Sequence, residues 1–219
     1  MNFLVIEGNI GAGKTTLSQM ISKDYNAQLV TENFADNPFL KKFYADQASY
    51  AFTLEMSFMA ERYSQLMNEL QNRDLFKDFT VADYYFMKSL IFASVTLTDD
   101  EYNLYRKFFN IIYSRLPRPD LYVYLYKNSD NLKKNIQKRG REYEQSIDEK
   151  YLDSLNRSYL NFFKQQAEFP VVIIDTNNID FVENPKDYQK LCKIIFQNTY
   201  NPGITRVLLW YNFHFYLSG

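Results

Sequence analysis

The sequence predicts an α/β protein whose β-sheet is parallel and is covered by helices on both faces. Short apolar segments alternate along the 219 residues with longer segments of helical periodicity. The apolar segments are nearly continuous, which is typical of strands buried on both faces. Strands that alternate with helices pair in parallel through right-handed crossovers. We therefore expect a three-layer fold with five parallel strands in its middle layer.

The predicted elements can be placed in order along the chain. The five predicted strands are 3–6, 28–32, 79–82, 121–125 and 171–174. The predicted helices are 14–24, a short helix from Asn37-Pro38 onward, 48–72, 87–95, 99–116, 129–139, 148–167 and 185–197.

Local signals set the limits of several helices. Proline is favoured in a first helical turn, which places a helix start at Pro38. Segment 48–72 repeats apolar residues at three- and four-residue steps, as a long amphipathic helix does. The four residues Thr98 to Glu101 form a capping box, and Pro117 ends the helix that this box opens.

Residues 1–200 are predicted to form one domain, and residues 201–219 a tail of atypical character. A chain of 219 residues suits a single domain with a substantial core. The tail begins with Asn201-Pro202-Gly203, and its residues 204–217 are apolar and aromatic but too few to span a membrane. Three roles stay open for this tail: an additional packed element, a surface for association, or an aberrant extension.

Composition and charge exclude several functional classes. The 25 basic and 26 acidic residues give a net charge of −1, so there is no electrostatic case for nucleic acid or a membrane surface as a partner. The single histidine, His214, leaves no histidine-based metal site and no serine–histidine–aspartate triad. The single cysteine, Cys192, fits a reducing compartment. With no signal peptide visible ahead of the first strand, we expect a cytoplasmic protein.

A phosphate-binding motif joins the first predicted strand to the first helix. Gly8, Gly13, Lys14 and Thr15 have the spacing Gly-x-x-x-x-Gly-Lys-Ser/Thr, and both flanks favour it over a glycine-rich turn that binds nothing. Glycines let backbone N–H groups approach phosphate oxygens, and the following helix directs its positive end at the same anion. We expect Lys14 to bridge the outer phosphates of ATP and Thr15 to offer its hydroxyl to Mg²⁺. The residues expected to bind the nucleotide are Gly8, Asn9, Ile10, Gly11, Ala12, Gly13, Lys14, Thr15 and Thr16.

Further motifs follow the loop in a fixed order. They are GNIGAGKTT at 8–16, Glu32, NPFLKKFY at 37–44, LEMSFMAERY at 54–63, DYYFMKSLIFA at 83–93, LPRPDLYVYL at 116–125 and KRGREYEQSI at 138–147. In this order and at these intervals they resemble a deoxynucleoside kinase of the bacterial deoxyadenosine/deoxyguanosine kinase type. The resemblance covers about residues 1–198. It implies a P-loop kinase fold with a lid at about 138–147, ATP and Mg²⁺ as cofactors, and a homodimer built on long helices.

Two carboxylates at predicted strand ends are candidates for the chemistry. Position alone favours a solvated turn carboxylate at Glu32, whereas the resemblance implies the general base for a sugar 5′-hydroxyl. Asp83 stands where a carboxylate commonly contacts Mg²⁺. Many family members have an arginine after this acid, but this chain has Tyr84, so the group that orients the hydroxyl stays open. We assign Glu32 as the base and Asp83 as the metal-binding or base-supporting group.

Arg139 and Arg141 flank Gly140 in a charged connection between two predicted helices. Guanidinium groups there can stabilise the charge of a transferred phosphoryl group, and the resemblance implies a lid over the phosphates. An exposed basic loop is the alternative. The resemblance also implies that Glu144 and Tyr44 hold the sugar 3′-hydroxyl, although the position of Tyr44 alone fits a core ring equally well.

Glu55 stands where many relatives have a glutamine that contacts the base. An ionised carboxylate only accepts hydrogen bonds, so it suits the N–H groups of guanine, or the amino group of adenine or cytosine, and opposes a thymine carbonyl. Arg62 lies two turns further along the same helix face and either donates to a base carbonyl or pairs with Glu55. Tyr84 completes the set of expected substrate-binding residues. We expect a purine deoxynucleoside, then deoxycytidine, with thymidine disfavoured.

These residues predict a kinase that transfers the γ-phosphoryl group of ATP to the 5′-hydroxyl of a deoxynucleoside in nucleotide salvage. The alternative is a nucleoside monophosphate kinase of the thymidylate type, with the same loop and strand order. Its substrate would require additional arginines, and segments 32–63 and 83–93 contain only Arg62. A regulatory nucleotide-binding protein would need neither the lid arginines nor a helix that contacts the base.

Overall fold

One mixed sheet runs through the middle of the protein. The computed structural model describes residues 1–33, 37–165, 168–210 and 213–218. Within these residues the strands are β1 (Phe3–Gly8), β2 (Gln28–Val30), β3 (Thr80–Ala82), β4 (Leu121–Tyr126), β5 (Pro170–Asp175), β6 (Gly203–Trp210) and β7 (Phe213–Ser218). The helices are α1 (Lys14–Asp24), α2 (Leu40–Ala45), α3 (Gln47–Gln71), α4 (Met87–Thr96), α5 (Asp99–Tyr113), α6 (Ser129–Arg139), α7 (Glu149–Lys164) and α8 (Pro185–Phe196).

The strand order is β2-β3-β1-β4-β5-β6-β7. All neighbouring pairs are parallel except β6 and β7, which are antiparallel. The predicted α/β fold with a parallel sheet between helices is confirmed, and each of the five predicted strands is present. The predicted number of strands is too low, because β6 and β7 are both formed by the tail.

The tail extends the sheet beyond β5. Strand β6 pairs with the whole of β5, from Pro170 opposite Gly203 to Asp175 opposite Leu208. This pairing satisfies backbone groups that an edge strand would leave unpaired. The Val207 side chain is buried, and the flanking apolar residues of β6 pack on the cores of the two sheet faces. Of the three roles left open, the structure therefore shows an additional packed element; residues 211, 212 and 219 lie outside the described part.

Two cores cover the two faces of the sheet, because successive strand residues point to opposite faces. Phe3 and Val5 of β1 belong to the core under α3, α4, α5 and α7, which is rich in tyrosine and phenylalanine. Leu4 and Ile6 belong to the more aliphatic core under α1, α6 and α8. In the part of the chain that the structure describes, none of the helices is both long enough and apolar enough to cross a membrane.

Most helix limits agree with the predictions, and the differences have local causes. Helix α2 begins at Leu40 rather than at Pro38, because the Asn37 side chain accepts a hydrogen bond from the Phe39 N–H at 2.9 Å and forms a turn first. The capping box of Thr98 and Glu101 is confirmed. Helix α7 ends at Lys164, and residues 166 and 167 of its predicted end lie outside the described residues.

We expect Val207→Ala to lower the free energy of unfolding by about 2 kcal/mol, because Val207 is buried between β5 and the helices. Arg206→Ala, at the exposed neighbouring position of β6, is the matched control and should stay within about 0.5 kcal/mol of the original chain. Urea denaturation followed by circular dichroism measures both. Equal stability of all three proteins would contradict the packing of the tail on the sheet.

Candidate active site

The glycine-rich turn after β1 forms a cradle at the start of α1. Gly11 and Gly13 have φ angles of 82° and 91°, a conformation that side chains rarely adopt. A Cβ atom at Gly13 would also lie 2.8 Å from the Phe181 ring, and one at Gly8 would lie 2.9 Å from the Leu125 carbonyl oxygen. No side chain among the described residues caps the start of α1. The backbone N–H groups at the start of α1 are thus available to an anion, whereas those of Gly8, Ile10 and Ala12 donate to groups of the loop itself.

An open cavity, here called the inner cavity, lies between the glycine-rich loop, the carboxyl ends of β2 and β3, and helices α2, α3 and α4. It is lined by Ile10, Lys14, Thr15, Glu32, Leu40, Tyr44, Phe58, Arg62, Asp83, Lys88, Phe92, Arg139, Arg141 and Glu144. The structure thus brings most of the predicted site residues together, although they come from six different parts of the chain.

A second cavity, here called the outer cavity, lies on the other side of the loop. It is lined by Gly11, Ala12, Gly13, Lys14, Thr15, Thr16, Lys127, Asn135, Lys138, Arg139, Arg141, Ile179, Asp180, Phe181 and Val182. Lys14, Thr15, Arg139 and Arg141 line both cavities. The loop and the two arginines therefore separate the two binding spaces and can contact ligands in both.

Glu32 lies between two cations in the inner cavity. Its Oε1 accepts hydrogen bonds from the Arg62 guanidinium at 2.8 Å, and its Oε2 accepts one from the Lys88 ammonium. Burial favours the protonated form of Glu32, but the charges of Lys88 and Arg62 outweigh burial and lower its pKa to about 2. The carboxylate is therefore ionised at neutral pH and can accept a hydrogen bond from a hydroxyl group, although its basicity is low.

Asp83 connects Glu32 to the loop. One oxygen of Asp83 accepts a hydrogen bond from the Glu32 backbone N–H at 2.8 Å, and the other accepts one from the Thr15 hydroxyl. Hydroxyl and carboxylate oxygens are the hard ligands that Mg²⁺ prefers. The described residues contain no group of three or more potential metal-binding side chains. The oxygen atoms of Thr15 and Asp83 are of the chemical type that would hold a Mg²⁺ ion.

The predicted lid follows α6 directly. Gly140 ends that helix with a φ of 73°, and a short 3₁₀ turn at Glu142–Glu144 follows. Arg139 and Arg141 both form ion pairs with the buried Glu144, and the Arg141 pair has a distance of 3.3 Å. The Tyr44 ring lies 5.9 Å from the Tyr143 ring, and burial together with the charge of Glu144 raises the pKa of Tyr44.

Glu55 and Tyr84 do not line the inner or the outer cavity. Glu55 is buried on α3, one turn from Phe58. Its Oε1 accepts a hydrogen bond from the Thr96 hydroxyl at 3.0 Å, whereas its Oε2 has no hydrogen-bond partner among the described residues. Burial raises the pKa of Glu55 to about 7, although the charge of Arg62 lowers it. Our prediction assumed an ionised carboxylate, whereas near neutral pH Glu55 is partly protonated.

Tyr84 is part of the aromatic core, and its hydroxyl has no partner among the described residues. Arg62 pairs with Glu32 and not with Glu55, which was the alternative drawn from helical spacing. Its guanidinium also donates to the Ser89 hydroxyl at 2.9 Å and lies 4.8 Å from the centre of the Phe58 ring. Tertiary contacts thus replace the pairing within one helix that was one of the two alternatives for Arg62.

Lys88 is a charged residue of the inner cavity that the sequence analysis did not predict. It is buried on α4, its ammonium pairs with Glu32, and it lies 5.3 Å from the centre of the Phe92 ring. Burial, and after it the charge of Lys88, lower the pKa of Lys14 to about 8. The signal for Lys88 in the sequence is that it is the lone basic residue of the apolar segment MKSLIFA.

The chain is similar to known proteins over most of its length. The family model described as deoxynucleoside kinase matches residues 4–199. A deoxyguanosine kinase from Bacillus subtilis (strain 168) is 35% identical over 193 residues, which cover 86% of this chain and 93% of the relative. One similar solved structure is that of deoxyadenosine kinase from M. mycoides with the products dCMP and a flexible dCDP bound. It has a TM-score of 0.78 and 26% sequence identity, and the match covers 90% of this chain and 100% of the kinase chain. A structure of that kinase with bound dATP has a TM-score of 0.76 and 25% identity, and covers 89% of this chain and 99% of its own.

The raised pKa of Glu55 predicts a pH-dependent stability. Because the folded chain binds this proton more tightly than the unfolded chain, with a pKa of about 7 against 4.5, the stabilisation is present below about pH 4.5 and is lost as the pH rises through 7. The difference amounts to about 3 kcal/mol. In Glu55→Gln this contribution is absent, so the stability of the variant relative to the original chain should improve from about pH 5 to about pH 8.

Urea denaturation across this pH range measures the effect. Glu61→Gln, which changes an exposed carboxylate on the same helix, is the matched control and should keep the pH dependence of the original chain. Parallel pH profiles for Glu55→Gln and the original chain would show that Glu55 does not titrate near neutral pH.

Proposed function

This chain belongs to the deoxynucleoside kinase family, and from that membership we propose that it transfers the γ-phosphoryl group of ATP to the 5′-hydroxyl of a purine deoxynucleoside in nucleotide salvage. The observation that supports the proposal most is the position of the loop between the two cavities. A triphosphate in the outer cavity and a nucleoside in the inner cavity would meet at Lys14, Thr15, Arg139 and Arg141, which line both.

The donor half of the proposed site consists of the loop and the lid. Backbone N–H groups of residues 8–16 and the start of α1 would hold the phosphates, and Lys14 would bridge the outer ones. A Mg²⁺ ion held at Thr15 and Asp83 would neutralise phosphate charge when bound. Arg139 and Arg141 would stabilise the charge of the transferred group, since positioning and charge stabilisation account for most catalysis of phosphoryl transfer.

The acceptor half is centred on Glu32. The Glu32 carboxylate lines the inner cavity and is ionised at neutral pH, which supports it as the group that receives the 5′-hydroxyl, whereas Asp83 would be engaged with Thr15 and a Mg²⁺ ion. The low pKa of Glu32 is compatible with this role. Phosphoryl transfer passes through a loose transition state, so the rate depends more on the orientation of the attacking hydroxyl than on the strength of the base. Tyr44 and Glu144 would contact the 3′-hydroxyl from the side of the lid.

The base would be recognised near Glu55, with Phe58 and Phe92 as apolar walls. A neutral carboxyl offers one donor and one acceptor, as glutamine does, whereas an ionised one only accepts. A pKa of about 7 makes both forms available at neutral pH. A purine preference agrees with the substrate named for the Bacillus subtilis relative, and the dCMP in the M. mycoides structure supports deoxycytidine as the next substrate.

An uncharged acceptor is favoured over a nucleoside monophosphate. Arg62 and Lys88 are both paired with Glu32, so they already balance a carboxylate. A second phosphate in the inner cavity would lie beside Glu32 and Asp83 and would be repelled by both.

We also propose a homodimer, which rests on the family resemblance alone. Light scattering on the purified chain tests it, and the mass of a single chain would contradict it.

Phosphorylation assays with ATP and each deoxynucleoside, run beside the corresponding monophosphates, test the proposed function. We expect turnover of deoxyguanosine and deoxyadenosine, slower turnover of deoxycytidine and little of thymidine. Glu32→Gln should retain the fold and lose most of kcat, because an amide cannot accept the hydroxyl proton. Turnover of a monophosphate without turnover of any nucleoside would overturn the proposal in favour of the monophosphate kinase.

Glu55→Gln tests the recognition of the base. In the original chain the ratio of kcat/KM values between two bases should change from about pH 6 to about pH 8, as Glu55 loses its proton. One mispaired polar group costs about 1–3 kcal/mol, which corresponds to roughly a 5- to 150-fold change in that ratio. The variant should lose this pH dependence and gain thymidine activity. A base preference that is the same in both proteins at every pH would remove Glu55 from base recognition.

A further inference from the structure

Tyr84, the residue after Asp83, does not explain what holds the Glu32 carboxylate in its orientation. Tyr84 is buried in the aromatic core and is not among the residues that line either cavity, and its hydroxyl makes no hydrogen bond to Glu32 among the described residues. Arg62 contacts Oε1 of Glu32 with two of its nitrogens and leaves Oε2 to another donor. Lys88 is that donor.

Local backbone geometry brings Lys88 back to the ends of β2 and β3. Two short-range hydrogen bonds tighten the chain before α4, from the Lys88 N–H to the Tyr85 carbonyl and from the Ser89 N–H to the Phe86 carbonyl, both at 3.0 Å. Lys88 is only 7% exposed, and its side chain runs past Phe92 into the inner cavity. Its ammonium shares that cavity with Lys14 and Asp83.

Burying the Lys88 charge in this position lowers the stability of the folded protein. The effective penalty for burying an ammonium group is several kcal/mol, and a buried pair returns this only with favourable geometry. Arg62 already provides one cation for Glu32, and Lys88 also lies within electrostatic range of the buried Glu7. What Lys88 adds is a separate donor on the other oxygen, which stops the carboxylate from rotating and directs its remaining lone pairs into the cavity.

We propose that Lys88 is a positioning residue for phosphoryl transfer: it holds Oε2 of Glu32 so that the carboxylate keeps the orientation in which it receives the acceptor hydroxyl. This inference rests on the proposed function. A misplaced catalytic group costs rate rather than substrate affinity, because most of the nucleoside is bound elsewhere in the cavity. Loss of Lys88 should therefore change kcat much more than KM.

The test compares Lys88→Met, which keeps the shape and removes the charge, with Lys88→Arg, which keeps a cation. With the best deoxynucleoside, Lys88→Met should lower kcat about 10- to 100-fold and change KM less than about threefold. Lys88→Arg should recover most of kcat. Lys107→Met, which removes an exposed lysine on α5, is the matched control for loss of one positive charge and should leave both constants unchanged. If Lys88→Met does not fold, Lys88→Gln replaces it in the same comparison.

A double-mutant cycle separates action through Glu32 from direct action on the phosphates. In a Glu32→Gln background, Lys88→Met should change the residual kcat by less than about twofold, because the group that Lys88 positions is already lost. The same factor in both backgrounds would overturn the positioning role, and so would an unchanged kcat in Lys88→Met. Failure of the original chain to phosphorylate any deoxynucleoside would overturn the proposed function together with this inference, whereas normal turnover by Lys88→Met would overturn the inference alone.

Discussion

The buried ion-pair cluster of Glu32, Arg62 and Lys88 is the interaction on which the geometry of the site depends. It joins the end of β2 to α3 and α4, three elements that are distant along the chain. Asp83 continues the network, because it accepts hydrogen bonds from the Glu32 backbone and from Thr15 at the start of α1. A buried charge without its partner costs several kcal/mol, so no member can move without the others. One network therefore fixes the inner cavity relative to the phosphate-binding loop.

Features set by neighbouring residues could be predicted from the sequence. The capping box spans four residues, and the loop motif is defined by glycines whose φ angles and close contacts exclude other side chains. Contacts between distant residues could not be predicted in this way. Helical spacing offered Glu55 as one possible partner of Arg62, but packing places Glu32 beside it. Strand β6 was missed for a related reason, since its pairing with β5 is a contact between separate segments of the chain.

The charge state of a side chain is a property of its surroundings, and sequence gives no direct access to it. Glu32 and Glu55 are both buried glutamates, yet the pKa of one is lowered to about 2 and that of the other is raised to about 7. The difference lies in their partners: Glu32 contacts two cations, whereas Glu55 contacts a hydroxyl with one oxygen and no described group with the other. The sequence analysis treated both as ionised carboxylates, although near neutral pH only Glu32 is fully ionised.

The balance of charge in the inner cavity favours an acceptor that carries none. Its described lining holds five cations, Lys14, Arg62, Lys88, Arg139 and Arg141, and three carboxylates, Glu32, Asp83 and Glu144, which leaves two positive charges in excess. A triphosphate with one Mg²⁺ ion carries a charge of about −2, so it would neutralise this excess. A neutral nucleoside would then complete a balanced site. A nucleoside monophosphate would add about two negative charges beside Glu32 and Asp83, and like charges at short range repel each other. The charges of this cavity therefore support the proposed uncharged acceptor.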